Sequence, residues 1–365
     1  PSWLNKYLSL IAGLLLDSLL FSATARAESH VLLSRSGTYP MVVALDQQQR
    51  SWLQGKRELR VGSSAPDYPP FDLTASARDY EGLTADYLGI LASALDLPIK
   101  VQRFHSRLAA IKALEEGSID LLGTSNGFEA YNPQLLLSTP YAIDQPVLVT
   151  REGDSRSLPR DLAGLRLSLV HHYLPLDEVK ALYPKAIIHS YPSTQNAINS
   201  VAFGQTDVFL GDTVSAHYMI SKGHLKNIKM ANFGKPQPHG FSFAVHRDNR
   251  QLLEMINTTL QAVPGSERDS IARRWNAGSN SLLASQKLQL TEREEQWLSQ
   301  HPVVKVVVNE TLAPLTFFDP DGNFRGITAD LLEIVRLRTG LTFEIQRARS
   351  FATMVQMINR HETDI

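Results

Sequence analysis

The chain contains no cysteine. That excludes disulfides, thiolate metal sites and cysteine nucleophiles in one step, and it fits an oxidising compartment, where a stray thiol is a liability. It also lacks an excess of either charge. Its 36 Lys and Arg face 37 Asp and Glu, for a net charge of -1, and no basic stripe points to nucleic acid. Long apolar runs are scarce. The most extended, Leu8 to Phe21, falls short of the roughly 20 residues that a bilayer-spanning helix needs. No G-x-S-x-G elbow, P-loop or dinucleotide fingerprint occurs. His361-Glu362 opens like the zinc motif H-E-x-x-H, but Ile365 stands where the second histidine belongs. His171-His172 is a poor metal pair, because adjacent residues do not share a face. No catalytic residue, metal or cofactor is therefore assigned.

What is present describes a globular protein of 365 residues, 43% apolar and 20% charged, enough for two or so domains with real cores. Lys6, the apolar stretch from Leu8 and Ala25-Arg26-Ala27 have the form of a secretory signal, interrupted only by Asp17. We expect residues 1–27 to be a signal peptide cleaved after Ala27. The competing reading is a membrane anchor or a buried helix. The chain opens at Pro1 and closes at Ile365 inside an apolar-patterned unit. It reads as a piece of a longer protein, with any membrane-spanning helix beyond residue 365.

The chain also repeats itself. Trp52-Leu53, Leu59-Arg60-Val61, Tyr68-Pro69-Pro70-Phe71 and Gly82-Leu83-Thr84-Ala85-Asp86 return as Trp297-Leu298, Val304-Lys305-Val306, Pro314-Leu315-Thr316-Phe317 and Gly326-Ile327-Thr328-Ala329-Asp330. The offset is 245 at Trp52/Trp297 and 244 at Asp86/Asp330 and Asp120/Asp364. A period this long means tandem domains, not a solenoid with units of roughly 20–50 residues.

Each copy reads strand, loop, helix, strand, helix, strand. Tyr87, Leu88, Leu91 and Leu95 fall on one helical stripe. Leu108, Ile111 and Leu114 mark a second helix, stopped by Gly117, before the buried strand Ile119-Asp120-Leu121-Leu122. Strand–helix alternation argues for an α/β fold with a parallel sheet. A second α/β unit begins at Leu165 to Val170 and runs to Val208-Phe209-Leu210. Residues 145–150 and 240–245 read as antiparallel strands crossing between the two units. That is the layout of a hinged, two-lobed clamp. The expected domains are an N-terminal segment (28–50) and a clamp (51–278), followed by a linker helix (279–300) and part of a second clamp (301–365). Lobe one would span about 51–144 and 246–278, and lobe two about 151–240.

Several marks in this order resemble the amino-acid-type bacterial extracellular solute-binding proteins, family 3. They are Gly82 to Asp86, Ser138-Thr139-Pro140-Tyr141, Leu162-Ala163-Gly164-Leu165-Arg166-Leu167, Gly204 to Asp212 and Ile271-Ala272-Arg273-Arg274-Trp275. The resemblance implies a periplasmic-binding-protein type II (Venus flytrap) fold. The tandem copy, joined through Leu290 to Leu298, resembles the periplasmic region of BvgS/EvgS-type hybrid sensor histidine kinases. That implies a periplasmic sensory region of a bacterial inner-membrane protein that acts as a homodimer, with its kinase core and receiver domains outside these residues.

Amino-acid binders of the family use an arginine for the ligand carboxylate, backbone N–H groups at a helix start, and an aspartate for the ammonium. The arginine should follow Gly123-Thr124-Ser125, but Asn126-Gly127-Phe128-Glu129 stands there. The loop that holds small residues in the family reads His171-His172-Tyr173. Asp212 keeps the ammonium position; its other reading is a solvated strand-end carboxylate. Tyr68 and Phe71 either form the aromatic wall of the pocket or fix a loop against the lobe. Thr124, Ser125 and His171 complete the candidate ligand set, for an amino-acid-like or amine ligand. Asp86 and Asp330 read as structural, meeting free N–H groups at a helix start. Besides a sensor, two alternatives are a transport solute-binding protein and a flytrap-regulated enzyme. The first usually carries one flytrap, and the second needs a catalytic domain where the repeat stands.

Overall fold

The computed structural model describes residues 27–37, 41–154, 156, 158–222, 225–275 and 290–365. The expected signal peptide lies outside them, apart from Ala27, as does the first part of the expected linker.

The chain runs β1 (Glu28–Leu32), α1 (Gln47–Gln54), β2 (Leu59–Ser64), β3 (Asp79–Tyr80), α2 (Leu83–Leu95), β4 (Ile99–Phe104), α3 (Arg107–Glu115), β5 (Leu121–Ser125), α4 (Gly127–Ala130), β6 (Leu135–Leu137) and β7 (Ala142–Asp144). It continues through β8 (Pro146–Arg151), β9 (Arg166–Val170), α5 (Leu176–Leu182), β10 (Ile187–Tyr191), α6 (Thr194–Ala202), β11 (Val208–Asp212), α7 (Thr213–Lys222) and β12 (Ile228–Phe233). Then come β13 (His239–His246), α8 (Arg250–Ala262) and α9 (Gly265–Arg274). The repeat supplies α10 (Glu292–Gln300), β14 (Val303–Asn309), β15 (Thr311–Leu312), β16 (Thr316–Phe318), β17 (Phe324–Arg325), α11 (Ile327–Thr339), β18 (Thr342–Ala348) and α12 (Phe351–Asn359).

Lobe one is a sheet in the order β3-β1-β4-β2-β5-β13-β6, and lobe two a separate sheet in the order β10-β9-β11-β8-β12. Strands β2, β4 and β5 are parallel, as are β9, β10 and β11, while β13 and β8 run antiparallel to their neighbours. No strand of lobe two joins the sheet of β2. This is the two-lobed α/β flytrap that the sequence pointed to.

The hinge differs from the expected one. Residues 145–150 do not cross: β8 is a buried strand of lobe two, paired with β11 and β12. Residues 242–246 lie in lobe one, against β5 and β6. The crossing is made earlier, where β7 pairs with the first residues of β13, Ala142 opposite Phe241 and Asp144 opposite His239. Lobe two therefore begins near Pro146, and the chain is back in lobe one from Ser242. A short apolar run with a proline entry looks the same in a hinge and in a sheet interior. The N-terminal segment is likewise part of lobe one, since β1 pairs with β3 and β4.

Helix α2 is buried on nearly every side. Its entry explains the Gly–Asp mark. Gly82 sits at φ 129, and a Cβ there would lie 2.1 Å from the Phe71 carbonyl oxygen. Gly326 repeats this at φ 110, with Leu315 oxygen 2.5 Å from the added atom. Only glycine fits so close an approach. Asp86 is structural, with partners other than those expected. Its carboxylate accepts from the Arg35 N–H (2.7 Å), the Arg274 guanidinium (2.5 Å) and the Trp275 indole (2.8 Å). It thus pins both ends of the unit onto α2. Asp330 in the repeat is exposed. Leu108 lies on the solvent face of α3, 67% exposed, so it marks that helix without entering the core.

Candidate functional site

The loop after β2 carries Tyr68 and Phe71 to the mouth between the lobes. Tyr68, 6% exposed, donates its hydroxyl to Asp212 Oδ2 at 2.8 Å. Asp212 ends β11 in lobe two, so this bond crosses the cleft. Its other oxygen accepts from the Ser215 N–H at 2.7 Å, at the start of α7. Asp212 is therefore buried and capped, not a solvated strand end. Phe71 is fully buried against Phe241 of the hinge, ring centres 4.0 Å apart. It fixes the loop from behind, while Tyr68 reaches across to Asp212.

A second acid was not anticipated. Asp144, at the end of hinge strand β7, is buried and accepts from the Tyr173 hydroxyl at 2.7 Å. Burial and the neighbouring Asp212 carboxyl push Asp144 well above the usual carboxylate range. Burial also raises Asp212, against the opposing pull of Ser215 and Tyr68. The sequence signal was an acid inside an otherwise apolar extended segment, Tyr141-Ala142-Ile143-Asp144.

Of the two adjacent histidines, the one left out of the ligand set is the inner one. His171 is exposed. The His172 ring packs 5.9 Å from Tyr68, and burial, then Arg107, then His171 hold its pKa down at about 3. It is a neutral ring at physiological pH. Helix α5 begins only at Leu176, three residues beyond Tyr173.

No arginine follows Ser125, but a buried one reaches this loop from α3. Arg107, first residue of α3, is 5% exposed and donates to Glu129 at 2.6 Å, to the Gly123 and Thr124 carbonyls at 3.0 Å and to Ser125 Oγ at 3.1 Å. An arginine at a helix N-terminus opposes the helix dipole; that was the available signal that it serves a specific partner. Its carboxylate partner is internal, and Ser125 is committed to it. Thr124 holds φ 52, in the left-handed region where a β-branched residue is strained. Its hydroxyl donates to Asp72 at 2.9 Å, and its N–H donates to the Tyr141 hydroxyl at 2.9 Å. Burial also raises Asp72, against Tyr80, Arg107 and Thr124. Among the described residues no cluster of His, Asp and Glu is arranged to hold a metal ion.

The two-lobed clamp thus has a hydrogen-bonded acid and aromatic rings between its lobes. Residues 59–278 match the bacterial extracellular solute-binding proteins, family 3. The chain belongs to that family.

Its relatives include sensor proteins. The virulence sensor protein BvgS of Bordetella parapertussis is 41% identical over 362 residues, covering 99% of this chain and 29% of that protein. The sensor protein EvgS of Escherichia coli O157:H7 is 29% identical over 301 residues, covering 82% of this chain and 25% of its own. The crystal structure of the B. pertussis BvgS periplasmic domain superposes with a TM-score of 0.70 at 40% identity, covering 92% of this chain and 65% of that one. The chain therefore spans under a third of the length of these sensor proteins. Among its described residues no helix is long and apolar enough to cross a membrane.

Proposed function

We propose that this chain is the periplasmic sensing region of a dimeric, inner-membrane sensor histidine kinase, and that the spacing of its lobes is the signal. The observation that carries this reading is the second unit. Helix α11 follows α2, and α12 follows α3, at an offset of 244 residues at both ends. A transport binding protein needs one flytrap; a receptor gains from a second unit that its first can move. A ligand shifts such a clamp only through different affinities for the open and closed states.

The cleft chemistry favours a cation or amine without an α-carboxylate. The cleft arginine is already paired with Glu129, while Asp144 and Asp212 are two buried acids facing each other's field. An ammonium or guanidinium group would take the place of a proton on that pair and displace Tyr68. Losing a charge-assisted contact of roughly 1.5–3 kcal/mol should weaken α-amino acids by about ten- to a hundredfold. Calorimetry against standard amino acids and against simple amines tests this. Micromolar binding of an amino acid, abolished by Asp212→Ala, would overturn the ligand reading. The sensor reading is tested by the remainder of the gene: a reading frame that closes without a membrane span and kinase core sinks it.

A further inference from the structure

Side chains of the protein itself stand at both ends of the cleft. At one end is Asp212, the position for a ligand's ammonium. The Tyr68 hydroxyl of lobe one already donates to it at 2.8 Å. At the other end is the segment after Ser125, the position for a ligand's carboxylate. There α4 opens with Gly127, and Leu174 of lobe two comes up against it. A Cβ added to Gly127 would lie 3.0 Å from Leu174 Cδ2 and 3.5 Å from His239 Cδ2. The three atoms nearest that added Cβ all belong to Leu174 and His239, so it is the other side of the cleft that crowds this glycine.

Leu174 is only 2% exposed although it stands in a loop, two residues before α5 begins. Lobe one supplies part of its cover. Between the two ends the His172 ring packs on Tyr68, and Tyr173 anchors the loop from behind through Asp144. Farther out, Glu178 of α5 stands beside the Tyr131 hydroxyl of lobe one and raises its pKa. The lobes thus meet directly at several points. A hydroxyl gives Asp212 a hydrogen bond without an ammonium, and an apolar side chain fills the other end without a carboxylate. These groups are tethered, so closing on them loses none of the translational freedom that a free ligand gives up, and modest contacts are enough.

We propose that Tyr68 and Leu174 are a tethered occupant of the cleft, which fills the places of a ligand's two ends and holds the first flytrap closed with no solute bound. The inference deepens the ligand reading above and rests on it for one point, that an amine displaces Tyr68. A solute then shifts the clamp only by the difference between its own contacts and those of the occupant. Lobe two passes the shift on. Its edge strand β12 has a bulge between Met230 and Asn232. The Ala231 carbonyl there accepts from the Arg336 guanidinium of α11 at 2.8 Å, and Arg160 pairs with Glu295 of α10.

The distance between the lobes tests this. The chain has no cysteine, so Leu108→Cys on lobe one and Phe203→Cys on lobe two, both exposed, place two spin labels and no others. The whole chain, unfolded and refolded to strip any solute, should show one short, narrow distance. Gly127→Leu, a wedge aimed at Leu174, should lengthen it, and adding Leu174→Ala should bring the short distance back, which also reports that the lobes are folded. Tyr68→Phe should add a longer-distance fraction. In calorimetry, Tyr68→Phe should bind butylammonium about tenfold more tightly than the parent, because no hydroxyl has to be displaced. A long or broad distance in the solute-free parent overturns the proposal, and so does a wedge that changes nothing or a lengthening that Leu174→Ala fails to reverse. Equal binding of butylammonium by parent and Tyr68→Phe rejects Tyr68 as the occupant. If neither binds it, the amine reading fails by itself, and the distances still decide whether the clamp is self-closed.

Discussion

Tyr68, Asp212 and His172 show how one residue's meaning depends on what lies across the cleft. In sequence, His171 and His172 are equivalent neighbours; in the structure one is in solvent and the other is under Tyr68. Burying a neutral histidine has a predictable linkage. With a folded pKa of about 3 against an unfolded value of about 6.5, the unfolded state binds the proton first as pH falls. Stability from this group is complete above about pH 6.5 and is lost as pH falls toward 3. His172→Phe should remove that loss. Between pH 7 and 5, the unfolding free energy of the variant, from urea titration, should fall less than that of the parent, by about 1–2 kcal/mol, after discounting the ring's partial exposure. Equal slopes for the two proteins would place His172 in water. Opposing acids, Asp72, Asp144 and Asp212, carry raised pKa values, so their own contribution runs the other way, lost as pH rises. The arginine gap in the sequence pattern was legible; that Arg107 bonds to the end of β5 and to Glu129 was not, because sequence spacing says nothing about which helix start faces which strand end.

At the scale of the element, one device recurs three times. The Asp120 carboxylate accepts the Arg60 N–H at 2.9 Å, and the Asp120 N–H returns to the Arg60 carbonyl at 2.8 Å. Asp207 does the same with Arg166, at 2.9 Å in both directions, and Asp364 with Lys305, at 2.8 and 2.9 Å. Each acid thereby ties β2, β9 or β14 to the segment that follows α3, α6 or α12. Just before each sits a left-handed residue ending that helix: Gly117 (φ 74), Gly204 (φ 74) and, in the repeat, His361 (φ 55). Asp207 also gathers the guanidinium groups of Arg166 and Arg156, which hold its carboxyl well below the usual range. Asp207→Ala should cost about 2 kcal/mol at pH 7, below the 3–5 of a fully buried pair because the arginines are partly solvated. A depressed carboxylate stabilises above its unfolded pKa near 4 and loses that as pH falls. The gap between variant and parent should therefore narrow below about pH 4. Guanidinium unfolding at pH 7 and pH 3 checks both; a constant gap would mean that the loss is packing, not charge. The Arg/Lys…Asp spacing was in the repeat all along, since Asp120 and Asp364 share its offset. The hinge was not, because strand-like runs carry no label for the sheet they join.

Across the whole molecule, marks that looked like independent family signatures turn out to be partners. Gly82 to Asp86 opens α2, and Ile271 to Trp275 closes the unit; Arg274 and Trp275 end on the Asp86 carboxylate. The N-terminal segment passes over the same helix at Gly89, where an added Cβ would lie 2.0 Å from Ser34 Oγ. Strand β1 begins at Glu28, the residue after the expected cleavage site. We expect the mature protein in the periplasm or membrane fraction to start at Glu28, and N-terminal sequencing to read Glu-Ser-His-Val. Recovery of intact Leu8 to Phe21 would support an uncleaved anchor instead.

The sequence by itself determined the class of fold, the tandem repeat and the family, because these rest on periodicity, spacing and order along the chain, which local physics writes into every segment. It also put Asp212 and Tyr68 forward as cleft candidates, each beside a structural alternative. Only the tertiary structure decided that the crossing is made by Ala142–Asp144 with the first residues of β13, that Arg107 is spoken for by Glu129, that Asp144 joins Asp212, and that lobe two carries the repeat. Each of these depends on which faces meet between elements apart in the chain, 22 residues for Arg107 and Glu129 and 95–99 for the two hinge strands, or between two lobes. There a few ångströms and the exclusion of water set the charge of a group, and no spacing along the chain records them.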